Sequence, residues 1–179
     1  MIQEKFKNIR LLLLDVDGVL TNGQITFTDD GRELKSFHSK DGVGLKLLQH
    51  MGIKAGIVTA RTSPIVARRC KELGIDLIFE GIHVKAEVLP KVIERTGLQP
   101  AEIAYMGDDL IDVGLMKKVA LGIAPADAHE TVLAYADIIT SANGGQACVR
   151  EACDMILKAQ GLWTKALNDF LGDVSIEPC

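Results

Sequence analysis

Ile9-Arg10-Leu11-Leu12-Leu13-Leu14-Asp15-Val16-Asp17-Gly18-Val19-Leu20-Thr21 is the stretch that decides the fold. An apolar run without alternation suits a strand buried on both faces of a parallel sheet, and open sheets of that kind bind ligands beyond the carboxyl ends of their strands. Asp15 and Asp17 therefore sit where chemistry is expected. Taken alone, Asp17-Gly18 reads equally well as the turn of a hairpin. The rest of the chain separates the two readings.

The pattern of an apolar run ending in polar residues recurs. Ala55-Gly56-Ile57-Val58 leads to Thr59-Ala60-Arg61, and Ile103-Ala104-Tyr105-Met106 leads to Gly107-Asp108-Asp109-Leu110-Ile111-Asp112. Between them Lys85 stands at the start of a helix expected over 84–96. The same reading predicts strands at 9–15, 54–59, 75–79, 103–107, 119–123 and 137–140, and helices at 41–51, 64–73, 109–117, 129–135 and 146–159. Gly52, Gly74 and Gly97 fall where helices should stop. Alternating strands and helices predict an α/β fold, a doubly wound parallel sheet with helices on both faces. Residues 1–179 are expected to form one domain, a size that buries a full core.

Composition narrows the function classes. A net charge of -4 offers no basic face for nucleic acid. The longest apolar runs are too short to cross a bilayer, and Met1 to Lys7 lacks the apolar core of a signal peptide, so a cytoplasmic protein with no membrane partner is expected. Cys70, Cys148, Cys153 and Cys179 have no CxxC spacing and read as reduced thiols.

The order DxDGxLT, apolar-Thr, Lys, GDDxxD resembles the haloacid dehalogenase superfamily over residues 9 to about 125. The resemblance implies a phosphotransferase of that Rossmann-like type, with Asp15 as covalent nucleophile and Asp17 as the acid and base. It also implies a magnesium ion held by the Asp15 side chain, the Asp17 backbone carbonyl and the Asp108 side chain, supported by Asp109 and Asp112. Thr59 would bond a phosphoryl oxygen, and Lys85 would balance charge and orient Asp15. The chemistry is coherent: phosphoryl transfer depends on positioning and on neutralising the equatorial oxygens, and a few hard oxygen donors suit magnesium. Each residue also has a plainer reading. Thr59 could cap a helix, Lys85 could be a solvated surface lysine, and Asp109 and Asp112 could cap the helix running to Lys118.

Gln24 to Thr28 and Glu33 to Phe37 alternate around Asp29-Asp30-Gly31-Arg32, predicting a hairpin flap over about 23–37 beside the catalytic loop. Neither that insert nor residues 60–84 has room for a cap domain, so the chain resembles the capless branch of the superfamily. An open site of this kind needs something else to exclude water, and a homo-oligomer, by resemblance a homotetramer, is expected. Ile25, Phe27, Leu34 and Phe37 of the hairpin are expected to pack against neighbours. The tail, about 161–179, carries Leu162, Trp163, Leu167, Phe170 and Leu171 and reads as an amphipathic helix docked on its own subunit or another.

Within the capless branch, His38-Ser39-Lys40-Asp41-Gly42, Thr59-Ala60-Arg61, Arg68-Arg69 and Gly144-Gly145 with Val149-Arg150-Glu151 resemble phosphatases of eight-carbon sugar-acid phosphates used in lipopolysaccharide core synthesis. This likeness implies a sugar site around Asp17, His38, Ser39, Lys40, Asp41, Gly42, Lys46, Arg61, Arg69 and Lys85. A substrate with a carboxylate and a phosphate needs cations at both ends, and arginine grips a carboxylate bidentately. Arg68 and Arg69 also read as a solvated helix face, and His38 as a loop histidine. A phosphatase of a nine-carbon sialic-type acid 9-phosphate stays open. A non-catalytic regulatory module is disfavoured, because Asp15, Asp17, Thr59, Lys85 and Asp108 are all present.

Overall fold

The computed structural model describes residues 2–172. Its centre is β1 (Leu11–Leu14), in parallel register with β4 (Lys54–Val58) on one side and β6 (Ile103–Met106) on the other. β5 (Leu77–Phe79), β7 (Leu121–Ala124) and β8 (Ile138–Ile139) complete a six-stranded parallel sheet of order β5-β4-β1-β6-β7-β8. The chain leaves β1 toward β4 and returns to its other side at β6. That change of direction opens a crevice at the carboxyl ends of β1, β4 and β6.

Alternate residues of a strand face opposite sides, so the Leu11–Leu14 run serves two cores at once. Leu12 and Leu14 join Ala55, Ile57, Ala104 and Met106 on one face. That face is covered by α1 (Ile2–Lys7), α2 (Ser39–His50), α3 (Pro64–Leu73) and α7 (Cys148–Ala159), through Phe6, Leu48, Val66 and Ile156. Leu11, Leu13, Ile103 and Tyr105 face the other way, onto α4 (Leu89–Thr96), α5 (Leu110–Met116) and α6 (Glu130–Tyr135), through Val92, Leu115 and Val132. All four leucines are fully buried. Each contributes about 1.5–3 kcal/mol of apolar transfer, which is why the run tolerates no polar residue until Asp15.

The expected doubly wound sheet is present, with differences of detail. The helix expected over 84–96 is broken into a 3₁₀ turn, Lys85–Val88, and α4. Pro90 causes this, because it lacks an N–H and its ring collides with the carbonyl four residues back; a helix accepts proline only in its first turn. The helix α1 was not foreseen, being too short to show a period and burying only Phe6. The tail forms α8 (Trp163–Leu171), which packs on α2 and α7 of its own chain, buries Ala166 and leaves Phe170 and Leu171 exposed. The rest of the expected tail, 173–179, lies outside the described residues.

The hairpin is present but short, β2 (Thr26–Phe27) against β3 (Glu33–Leu34). Ile25, Phe27 and Leu34 remain 43%, 60% and 52% exposed, so nothing in the described chain covers them. Phe37 packs against the main core. No described helix is long and apolar enough to cross a membrane. Cys70, Cys148 and Cys153 are buried free thiols.

Candidate active site

Three strand ends supply the site. Asp15 follows β1, its N–H donating to Met106 O (2.9 Å), and Thr59 follows β4, its N–H donating to Phe79 O (2.9 Å). Asp108 follows β6, and its carbonyl accepts from His129 N (2.9 Å) at the start of α6. A cavity of about 230 Å³ lies between them, lined by Asp15, Asp17, Thr59, Arg61, Asp108 and Ile111 among others. A roomier groove of about 460 Å³ sits at the opposite end of the sheet, among Gln49, Lys54 and Arg95. It gathers no carboxylate cluster comparable to the first.

Lys85 is the cation that meets Asp15. Its side chain is wholly buried, with Nζ 2.7 Å from Asp15 Oδ2 and 2.5 Å from Asp112 Oδ1. A buried ammonium is tolerated only when paired in this way, so the surface reading of Lys85 does not describe the folded chain. Asp112 spends its whole bonding capacity on scaffolding. Oδ1 also accepts from Tyr105 Oη, and Oδ2 accepts from Asp108 N and Asp109 N, both at 3.0 Å. Asp109 caps α5, its Oδ1 accepting from Leu110 N (2.7 Å). The capping reading of Asp109 and Asp112 thus describes their contacts, and those caps aim the Asp108 backbone.

The carboxylates are crowded in low dielectric. One oxygen each from Asp15, Asp108 and Asp112 lies within 4.8 Å of the others. Burial pushes Asp15 up to about 6, opposed by Lys85 and reinforced by Asp112. Burial, with Asp15 and Asp112 next, pushes Asp108 up to about 7. Tyr105, fully buried beside Asp112, is held well above the usual phenol range. Asp108 Oδ1 is buried with no hydrogen-bond partner. An orphaned carboxylate oxygen facing two other carboxylates is what a divalent cation satisfies, and hard oxygen donors select magnesium. Because Asp112 is committed elsewhere, Asp15 and Asp108 are the side chains that fit the ion.

Three glycines hold the Asp15–Val19 loop in register. Gly18 has φ +88°, and a Cβ there would fall 2.0 Å from Asp108 Oδ2. A Cβ on Gly144 would fall 1.9 Å from Gly18 O, and Gly145 N donates to Val19 O (2.9 Å). The Gly-rich turn before α7 is therefore a backstop for the Asp15–Val19 loop.

The proposed sugar residues divide. Arg61 lines the cavity, with Nε 3.7 Å from Asp17 Oδ2 and Nη2 2.7 Å from Glu33 Oε1. His38, Ser39, Lys40, Asp41, Gly42, Lys46 and Arg69 do not line it, and neither does Lys85, which is buried against Asp15. His38 caps α2, its Nδ1 accepting from Lys40 N (3.2 Å), and Ser39, Lys40 and Lys46 are exposed. Asp41 is buried and its Oδ1 accepts from Arg150 N (2.8 Å), so its carboxylate serves the start of α7; burial pushes that carboxyl upward. Arg69 lies over the Phe37 ring at 5.8 Å and beside Glu72 (3.5 Å). Sequence reasoning missed Lys35 and Glu33. Lys35 Nζ bonds Asp17 Oδ1, and Glu33 takes Arg61 and Ser63 Oγ (2.8 Å). Their signal was the alternation Glu33-Leu34-Lys35, which puts both charges on the side opposite Leu34.

A cation-fitted pair of carboxylates, a buried lysine and a threonine at the ends of adjacent parallel strands define a phosphohydrolase of the haloacid dehalogenase class. A family model described as haloacid dehalogenase-like hydrolase matches residues 75–150. The chain is 43% identical over 157 residues to the 3-deoxy-D-manno-octulosonate 8-phosphate phosphatase of Escherichia coli, covering 88% of this chain and 84% of that protein. The Yersinia pestis enzyme of the same name is 40% identical, with 88% and 84% covered. Its fold matches the Moraxella catarrhalis phosphatase of that name, solved with a magnesium ion, a phosphate ion and a KDO molecule. There the TM-score is 0.92 at 40% identity, covering 94% of this chain and 97% of that one. The chain belongs to the family of 3-deoxy-D-manno-octulosonate 8-phosphate phosphatases.

Proposed function

We propose that this chain is a magnesium-dependent phosphatase that hydrolyses 3-deoxy-D-manno-octulosonate 8-phosphate to the free sugar acid and phosphate, serving lipopolysaccharide core synthesis. The observation that carries the reading is the buried contact of Lys85 with Asp15, beside the unpartnered Asp108 oxygen. Magnesium, when bound to Asp15, Asp108 and, by our reading, the Asp17 carbonyl, neutralises charge so that a phosphate dianion can approach a carboxylate. Lys85 fixes the Asp15 carboxylate toward the cavity, and Thr59 offers its hydroxyl to a phosphoryl oxygen. An Asp15 oxygen attacks phosphorus as the bond to the sugar oxygen breaks, and Asp17 delivers a proton to that leaving oxygen. Asp17 then takes a proton from water, whose oxygen attacks phosphorus and frees Asp15.

In this reading Arg61 meets the sugar acid in its own site. His38 to Gly42, Lys46 and Arg69 act beyond the cavity, on the far end of the sugar or on a neighbouring copy. We also read the chain as one domain that works as a cytoplasmic homotetramer. The exposed Ile25, Phe27 and Leu34 support assembly through the hairpin, since a free ribbon seldom leaves such residues in water. The buried free thiols of Cys70, Cys148 and Cys153, among the described residues, agree with a reducing compartment.

The test is phosphate release from a panel of sugar-acid phosphates in magnesium. The eight-carbon acid 8-phosphate should be preferred. A preference for a nine-carbon acid 9-phosphate would move the chain to the alternative substrate, and no release from any monoester would make it a non-catalytic module.

A further inference from the structure

We propose that Lys35, carried at the end of β3, is the positioning residue that holds the Asp17 carboxylate for proton transfer. The inference rests on the phosphatase reading above and goes beyond it. The Lys35 side chain is 1% exposed although it belongs to a hairpin whose other face is open to solvent. Its Nζ bonds Asp17 Oδ1 and lies 3.4 Å from Glu33 Oε1. Arg61 approaches the other Asp17 oxygen, and Arg61 in turn is tied to Glu33. Lys35 therefore ties Asp17 through one oxygen, Arg61 stands 3.7 Å from the other, and Glu33 ties the two cations together.

Asp17 needs such a holder. Its carboxylate is 20% exposed, and the wholly buried Lys85 that fixes Asp15 is not among its ion-pair partners, which are Lys35 and Arg61. A proton donor must lie within hydrogen-bond reach of the leaving oxygen, and a freely rotating carboxyl at the rim would spend little time there. Withdrawing a lysine's ammonium from water is unfavourable unless a carboxylate meets it. A merely decorative tie between hairpin and core would place that lysine at the surface.

The experiment compares kcat/KM for the sugar-acid 8-phosphate, whose leaving group is an alkoxide, with that for 2,4-dinitrophenyl phosphate, whose leaving phenolate needs no proton. Both values report only the steps up to transfer of phosphorus to Asp15. In Lys35→Met, the alkyl substrate should lose about 10²-fold, the worth of a general acid, with KM little changed, while the aryl substrate loses less than about threefold. Equal losses on both substrates, or an undiminished alkyl rate, would overturn the proposal. If Lys35→Met does not fold, Lys35→Gln is read with the same pair, and failure of both to fold would show a structural lysine and also overturn it. Wild-type protein inactive on both substrates would instead sink the phosphatase reading.

Discussion

Lys85 Nζ lies 2.7 Å from Asp15 Oδ2, and neither side chain is more than 8% exposed. The pair joins a turn that follows β5 to the loop that follows β1, and Asp112 closes the triangle from α5. Removing the ammonium leaves two carboxylates buried without a counter-charge. Lys85→Met should therefore destabilise the metal-free protein by about 3–5 kcal/mol and abolish turnover. Urea unfolding in chelator, alongside a phosphate-release assay, checks both parts.

The raised carboxyls predict an unusual pH dependence of stability. Asp15 and Asp108 move from an ordinary value of 3.8 to about 6 and about 7, so the folded state binds protons more tightly than the unfolded chain. Their contribution is fully present below pH 3.8 and is lost as pH rises through about 6 and then about 7. In chelator, unfolding temperature should fall across that window. Magnesium binds the deprotonated site, so its stabilisation should grow with pH over the same range. A magnesium-induced shift in melting temperature that is flat from acid to neutral pH would contradict the assignment.

Gly18→Ala tests the loop geometry. The new Cβ would strike Asp108 Oδ2 at 2.0 Å in a backbone conformation that alanine disfavours. The carboxylate must move, so the magnesium concentration for half-maximal activity should rise by about tenfold or more, as when a positioning contact of a metal ligand is removed. Calorimetric titration of magnesium reads this without turnover.

Much of this was legible in the sequence. The run Leu11–Leu14 ending in Asp15, with the echoes at Thr59 and Asp108, sufficed for a parallel sheet whose strand ends bring these three residues around one cavity. The pairing of Lys85 with both Asp15 and Asp112 was half legible. Charge balance was expected, but the scaffolding by Tyr105 and Asp112 depends on which face of β6 meets α5. Lys35 was hidden because a hairpin lysine ordinarily reads as an edge-strand charge. The sugar residues were least legible, since His38, Asp41 and Arg69 make contacts within the chain that spacing does not reveal.

Assembly through the hairpin is tested by charge. Phe27→Asp combined with Leu34→Asp leaves the described core untouched, because both side chains are more than half exposed. The double variant should sediment as a smaller species than the wild type with an unchanged far-ultraviolet spectrum. A monomeric wild-type protein with full activity would remove the tetramer proposal.

Asp17→Asn should slow turnover by about 10²–10⁴-fold while leaving magnesium affinity close to wild type, since the backbone carbonyl is retained. Loss of metal binding in this variant would merge the two roles that the account keeps apart.

The most direct measurement is the identity of the phosphorylated residue. Protein turning over in magnesium is quenched with borohydride, which reduces an acyl phosphate to the alcohol, and the peptides are weighed. The account predicts homoserine at position 15 and at no other carboxylate, and none in Asp15→Asn, which should also lose about 10⁴-fold or more in rate. Reduction at Asp17 or Asp108, or substantial phosphatase activity in Asp15→Asn, would contradict it.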